Sequence, residues 1–299
     1  MLRSRISRGR AATLSVAAVV TVAFLGMALD MAARAPAGAL TSPPRSAGGY
    51  ELVASDGGVF TFGDSSYEGS LPALGVRVNN IKAMLPSTDD RGYALLGSDG
   101  GVFSFGDEPF TGSLPEKGIS ANDIVGIVFT QYAGGFLIVG ADGGVFTIGN
   151  AQFEGSLPGF GIHVNDIVGI APTADTKGYW IAGSDGGIFS FGDAKFYGRV
   201  PPGGSPVVGI AATPDGRGYW VVEQNGGVFT FGDAISYGSL PGIGVSVSNI
   251  VSLLPTFDSR GYWVIGADGG VFTFGDATFF GSLGGFHLAQ PIVGAIATS

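Results

Sequence analysis

Acidic residues recur at two fixed places in this sequence, where carboxylates could bind metal ions or act as acid–base catalysts. The first set precedes a pair of glycines: Asp56, Asp99, Asp142, Asp185 and Asp268, with Asn225 as sixth member. The second set follows a Phe-Gly or Ile-Gly pair: Asp64, Asp107, Asn150, Asp193, Asp233 and Asp276. Calcium prefers several oxygen ligands, so the first set is a candidate calcium site. Because an Asp side chain also caps backbone N–H groups in a tight turn, we predict the turn role, with no metal or cofactor.

A second candidate site comes from positions at which the repeat is broken. Glu223, Gln224 and Asn225 replace a small residue, Ser or Ala, and Asp of the other copies, and the connection at 199–204 is shortened. A residue that departs from its equivalents is released from the role that they share. We therefore predict a binding site that comprises Glu223, Gln224, Asn225, Lys195 and Arg199. The alternative is sequence drift without function.

Catalytic motifs are absent from the sequence. His163 and His287 lie in variable loops without a second histidine or a carboxylate at metal-motif spacing, and no G-x-S-x-G or H-E-x-x-H motif occurs. Glu68 and Glu154 each precede Gly-Ser-Leu-Pro, so they are features of the repeat. We predict that the protein is not an enzyme. The alternative is a glycan hydrolase that uses two carboxylates roughly 5–10 Å apart.

These residues belong to a sequence of 16 residues that occurs six times. The copy from Gly178 reads GYWIAGSDGGIFSFGD, and each copy joins two short apolar runs by Asp-Gly-Gly or Asn-Gly-Gly. Such turn residues between apolar runs indicate a β-hairpin. The aromatic residue that follows the leading glycine recurs at 50, 93, 136, 179, 219 and 262. A period of this length is typical of propellers, solenoids and arrays.

The repeat predicts a six-bladed β-propeller over residues 49–299, with four-stranded blades. In one unit, strands are expected at 167–171, 179–183 and 188–191, and a brief fourth strand begins at Phe196. The segment 291–297 resembles the first strand of a unit but has no hairpin after it, and no such strand precedes Tyr50. We therefore expect the carboxy-terminal strand to complete the first blade and to close the ring, because closure removes exposed sheet edges.

The repeat resembles the GYWLVASDGGVFAFGDA-type repeat of proteins secreted by actinobacteria. The similarity extends over residues 49–299, and the whole unit matches in every copy. The resemblance implies an exported β-propeller.

The first 39 residues differ in composition from the rest. Four arginines precede an apolar run at 11–29, and small residues follow, which is typical of a signal peptide. The run is also long enough for an uncleaved membrane anchor. Residues 40–48 are predicted to be a linker. Both alternatives place the remainder outside the cytoplasm, either secreted or associated with the cell envelope.

The net charge of the chain restricts the classes of molecule that it can bind. The chain has 15 basic and 24 acidic residues; removal of residues 1–39 takes away five arginines and one aspartate, which leaves a net charge of −13. A surface of this charge repels nucleic acid, so we expect no nucleic-acid partner. We predict a monomeric, non-catalytic binding or scaffold module for an envelope glycan or another exported protein. A calcium-stabilised structural module is the further alternative.

The loops at 73–80, 116–123, 159–166 and 242–249 are expected to share one rim with the Asp-Gly-Gly turns and with Glu223.

Overall fold

The computed structural model describes residues 48–130 and 134–298, which form six three-stranded antiparallel sheets. The strands are β1 (Gly49–Ala54) and β2 (Val59–Gly63); β3 (Ile81–Pro86), β4 (Gly92–Gly97) and β5 (Val102–Gly106); β6 (Ile124–Thr130), β7 (Gly135–Gly140) and β8 (Val145–Gly149); β9 (Ile167–Pro172), β10 (Gly178–Gly183) and β11 (Ile188–Gly192); β12 (Val207–Ala212), β13 (Gly218–Glu223) and β14 (Val228–Gly232); β15 (Ile250–Pro255), β16 (Gly261–Gly266) and β17 (Val271–Gly275); and β18 (Ile292–Thr298). Short 3-10 helices lie at Pro72–Leu74, Pro158–Phe160 and Pro241–Ile243.

The predicted signal peptide or anchor at 1–39 lies outside the described residues, as does the predicted linker at 40–48 apart from Gly48. Within the part of the chain that is described, no helix has the length and apolar character needed to span a bilayer.

The hairpin of each repeat forms the middle and third strands of a sheet. In the fourth sheet, β10 pairs with β11 in the register Tyr179↔Phe191 and Ile181↔Phe189, and all six residues of β10 are buried. The turn between them needs a glycine at Gly186, where φ is +87° and a Cβ would lie 2.8 Å from the Cβ of Val200. The Asp-Gly-Gly sequence supplies this conformation at no steric cost.

The prediction of four-stranded blades is wrong, because each sheet has three strands. The segment after β11 was expected to begin a fourth strand at Phe196, but side chains bind its backbone groups instead. Trp180 Nε1 donates to the carbonyl of Lys195 at 2.9 Å, and the hydroxyl of Tyr219 accepts from the N–H of Tyr197 at 3.2 Å. Since these partners come from side chains, the segment forms no strand ladder.

The first sheet is completed by the last strand of the chain. β18 pairs antiparallel with β1 in the register Tyr50↔Ala297 and Leu52↔Ala295, as the sequence predicted for this segment. β18 also packs against β15 and β3, just as β9 packs against β6 and β12. Strands from the two ends of the described chain therefore share one sheet.

Among the described residues the hydrophobic core consists of six clusters, each built from neighbouring sheets. In one of them Trp180 of β10 lies with its ring centroid 5.4 Å from that of Tyr219 in β13. Trp220 and Trp263 occupy the same place in their sheets, and all three indoles are buried. The sheets are thus held together by large side chains of their middle strands.

A tyrosine of the middle strand binds the segment that arrives from the preceding sheet. The hydroxyl of Tyr179 donates to the carbonyl of Gly155 and accepts from the N–H of Glu154 at 3.3 Å. We call this hydroxyl contact the tyrosine clasp; it recurs at the carbonyls of Gly69, Gly198, Gly238 and Gly281, which accept from Tyr93, Tyr219, Tyr262 and Tyr50. Burial raises the pKa of Tyr179 to about 12, so the hydroxyl keeps the proton that it donates.

Glycine is required at the clasped position. Gly155 has a φ of +133°, and a Cβ there would lie 2.8 Å from Cδ1 of Phe191 in the next sheet. The third sheet departs from the pattern because Phe136 replaces tyrosine, although the facing Gly112 keeps the same φ of +133°. The junction between the second and third sheets therefore lacks the hydroxyl.

We expect Tyr179→Phe to lower the free energy of unfolding by about 1–2 kcal/mol, because it leaves buried backbone groups without their partner. Phe136→Tyr is expected to raise this free energy by up to about 1 kcal/mol, because it adds the missing hydroxyl. Urea denaturation of both variants measures the changes. Equal midpoints for Tyr179→Phe and the wild type would contradict a stabilising role of the clasp.

Candidate binding face

One end of the sheets carries both the Asp-Gly-Gly turns and the connections between sheets. The N–H of Ser184, in the turn of the fourth sheet, donates to the carbonyl of Asp166 at 2.8 Å, and Ile167 N–H donates to the carbonyl of Ala141 in the preceding turn at 3.0 Å. The sequence predicted that these turns and loops share one rim, and the hydrogen bonds confirm it. We call this end the turn face.

The candidate calcium residues on the turn face act as turn caps. Oδ1 of each Asp accepts from the N–H of the glycine two residues later, at 2.7–3.0 Å, in Asp56, Asp99, Asp142, Asp185 and Asp268. Asn225 makes the same bond to Gly227 at 2.7 Å. Among the described residues, no three His, Cys, Asp or Glu side chains come together in a group that could hold a metal.

The second set of acids lies at the opposite end, because a strand separates each member from its turn. There Thr173 Oγ1 donates to Asp193 at 3.0 Å, and Lys177 Nζ lies 2.8 Å from Asp175. Similar pairs occur at Arg91–Asp89, Arg217–Asp215 and Arg260–Asp258. The sequence analysis did not single out these ion pairs, although an acid two residues before Arg-Gly or Lys-Gly recurs four times. Exposed pairs of this kind contribute little to stability.

Glu223, the central residue of the predicted binding site, is buried with 4% of its surface exposed. A Cβ placed on Gly204 would lie 2.5 Å from Oε1 of Glu223, so the carboxyl packs directly against the shortened connection. Burial raises the pKa of Glu223, and the side chain of Asn225 lowers it in part. The carboxyl group of Glu223 is thus packed inside the fold, below the surface that a ligand could reach.

Glu223 occupies a place that is held by small residues in the other sheets. The equivalent residue is glycine in four of them, and a Cβ on Gly183 would lie 2.9 Å from Oδ1 of Asp185 in the turn and 3.6 Å from Oδ2 of the loop residue Asp166. The corresponding loop residues elsewhere are Asn80, Asp123 and Asn249. In the fifth sheet this loop position is Pro206, which offers no polar side chain. In the first sheet the loop position is also proline, Pro291, and the residue equivalent to Glu223 is Ala54, so proline at this place does not by itself require a glutamate.

The remaining residues of the predicted site are not brought together. Gln224 and Arg199 are exposed on the turn face, and Asn225 is half-buried in its turn. Lys195 follows Asp193 at the opposite end of the sheet, where its Nζ lies 5.5 Å from the centroid of the Tyr197 ring. The structure therefore separates Lys195 from the residues with which the sequence grouped it.

Two cavities open on the turn face, at connections without a 3-10 helix. One of about 160 Å³ lies between the turn at Asp185 and the shortened connection, lined by Val200, Pro201 and Gly204 among others. A shallower one of about 360 Å³ lies between Asp268 and Phe286. Each cavity is lined by one carboxylate, so neither contains the pair of acids that glycoside hydrolysis uses. His163 and His287 are exposed on connections of this face.

Large apolar side chains project from the connections of the turn face. Leu74, Phe160 and Ile243 each end a 3-10 helix and are 69%, 70% and 62% exposed, and Phe286 at the equivalent place is 65% exposed. A Gly in the left-handed conformation follows each of the three helices and ends it. Exposed apolar groups that recur on one face are typical of an interaction surface.

Glu51 is a buried carboxyl that the sequence analysis missed. It takes the place in β1 that Trp180 takes in β10, is 2% exposed, and its Oε2 has no hydrogen-bond partner. Burial raises its pKa to about 8, with further contributions from the negative charges of Glu68 and Asp90. Comparison of the six middle strands could have found it, because Glu51 is the single charged residue at a place otherwise held by Trp, Leu or Ala.

The arrangement offers apolar contacts and hydrogen-bond acceptors on one face of a rigid framework. Comparison with protein-family models and with curated proteins finds no match for the chain. The function must therefore be argued from the surface itself.

Proposed function

We propose that the six sheets are the blades of a closed six-bladed β-propeller. The packing of the first strands supports this arrangement: β3, β6, β9, β12 and β15 each lie beside the next, and β18 lies between β15 and β3. The pairing of β18 with β1 removes the open edge that the first sheet would otherwise have. In such a ring the first strands lie inside and the third strands outside.

We infer that this propeller is a non-catalytic binding or scaffold module that acts outside the cytoplasm and binds another exported protein through its turn face. The observation that carries the proposal is the set of exposed apolar side chains at Leu74, Phe160, Ile243 and Phe286. Apolar anchors surrounded by polar groups are typical of protein–protein interfaces. The extracytoplasmic setting is supported by the composition of residues 1–39 and by the resemblance of the repeat to those of secreted proteins.

The test is affinity capture from the exported-protein fraction of the source organism, with the triple variant Leu74→Ser, Phe160→Ser, Ile243→Ser. We expect the wild type to retain one or more proteins. The triple variant should retain at least about tenfold less of them, because anchors of this kind contribute more than 1 kcal/mol each. Phe257→Ser is the matched control, since Phe257 is 89% exposed at the opposite end. Equal retention by the triple variant and the wild type would refute the assignment of the turn face.

A further inference from the structure

A large aromatic side chain is half-exposed at the same place in five of the six repeats. These are Tyr67, Phe110, Phe153, Phe196 and Phe279, whose exposed fractions all lie between 52% and 56%. The remaining repeat, the fifth in the chain, has Ser236 at this place. Ser236 shows that the local fold accommodates a small polar side chain here, so the framework does not require the aromatic ring.

The aromatic residues lie on the outer segments, which we define as the stretches between each third strand and the turn face. They make no ring contact with another aromatic side chain of the described residues. The residues that follow two of them, Tyr197 and Phe280, do make such contacts, and so does Tyr237, which follows Ser236. In these outer segments the inward position is taken by the second residue, and the residue before it is left on the surface.

The backbone below these rings is held firmly. Phe153 directly precedes Glu154, whose N–H donates to the clasp of Tyr179, and Phe196 and Phe279 precede Tyr197 and Phe280, which donate to Tyr219 and Tyr50 in the same way. A ring on a fixed backbone loses little conformational freedom when a ligand covers it. The exposure of these three rings is therefore a fixed property of the fold.

The distribution of the rings indicates what kind of ligand fits. With one ring per repeat, each on a separate outer segment, they offer several equivalent contacts to a ligand that itself repeats. Carboxylates follow two of the rings directly, at Glu68 and Glu154, and the region from residue 40 carries a net charge of −13. Anionic polymers are repelled by such a surface.

We propose that these five aromatic side chains are subsites for a neutral polysaccharide, each stacking on the apolar C–H face of one sugar ring. The negative face of the aromatic ring attracts the polarised C–H groups of the sugar, and neighbouring carboxylates accept hydrogen bonds from its hydroxyls. Separate weak subsites on one rigid body bind an insoluble polymer by avidity. This inference goes beyond the proposed function, because it concerns the outer segments and not the turn face.

The test is co-sedimentation of the full chain with four insoluble neutral glycans: chitin, cellulose, β-1,3-glucan and α-glucan. We expect retention by at least one of them. On that glycan, Phe153→Ser, Phe196→Ser, Phe279→Ser combined should weaken binding at least about tenfold, because each lost subsite lowers the avidity. Ser236→Phe should strengthen binding severalfold.

Two controls separate this result from the proposed function. The turn-face variant Leu74→Ser, Phe160→Ser, Ile243→Ser should keep its glycan retention, and the triple serine variant of the outer segments should keep its melting temperature, as Ser236 leads us to expect. Retention by none of the four glycans would overturn the proposal, and so would equal binding by the wild type and the folded triple variant.

Discussion

Deletion of residues 291–299 is expected to abolish the cooperative fold. The deletion removes β18, which carries Ile292 and Ile296 at 0% and 5% exposure and forms one edge of the first sheet. Loss of two buried isoleucines alone costs about 4–10 kcal/mol, which is comparable to the whole stability of an ordinary domain. The exposed edge of β1 would also offer unpaired backbone groups to other chains. We expect aggregated protein by size-exclusion chromatography and no sharp unfolding transition by circular dichroism.

A circular permutant is the control for this deletion. Gly49 pairs with Thr298, so a short turn copied from 173–177 can join the end of β18 to the start of β1 and place the strand first in the chain. The permutant keeps every strand, and we expect it to fold with a melting temperature near that of the wild type. A deletion variant that remains monomeric with an unaltered melt would contradict the role assigned to β18.

Glu51 is expected to make the protein less stable as the pH rises. In the folded state its pKa is raised to about 8, whereas a glutamate in the unfolded chain ionises near its ordinary value. The folded state therefore holds a proton that the unfolded state has lost between these two values, and each pH unit in that window lowers the free energy of unfolding by up to about 1.4 kcal/mol. This contribution is fully favourable below pH 4 and lost above pH 8.

Substitution Glu51→Gln keeps the neutral form at every pH. We expect urea denaturation at pH 5 to show similar stability for this variant and the wild type, and at pH 9 the variant should be more stable by up to about 5 kcal/mol. Glu116→Gln, which removes an exposed carboxylate, is the matched control and should follow the wild type. The groups that face Glu51 are Glu68, Asp90 and Tyr93. Parallel curves for wild type and Glu51→Gln would show that this carboxyl does not set the pH dependence.

The sequence predicts much of this fold because its signals are local. The expected strands at 179–183 and 188–191 agree with β10 and β11, since the Asp-Gly-Gly turn and the alternating residues beside it set both position and register. The fourth strand was wrong for a non-local reason. The hydroxyl of Tyr219, more than twenty residues away, binds the backbone that a strand partner would have bound.

The candidate binding site was harder to predict from the sequence, because it too depends on contacts between residues that are far apart in the chain. Glu223 packs against Gly204 of the shortened connection, a relation between strand and loop that comparison of single positions does not show. The exposed residues Leu74, Phe160 and Phe153 look like ordinary members of a repeat in the sequence. The exposure of these side chains depends on how their segments cross the neighbouring sheet, and the residue types alone do not show it.

The tyrosine clasp has a consequence for the history of the chain. Five of the six repeats carry both a tyrosine such as Tyr179, whose hydroxyl donates to the preceding repeat, and a glycine such as Gly198, whose carbonyl can accept from the next repeat. A duplicated copy of the coding sequence would therefore encode a repeat that can form this hydrogen bond both with the repeat before it and with the repeat after it. Repeats can be gained, lost or exchanged as whole units, and the replacement of tyrosine by Phe136 shows that one junction without the hydroxyl is tolerated.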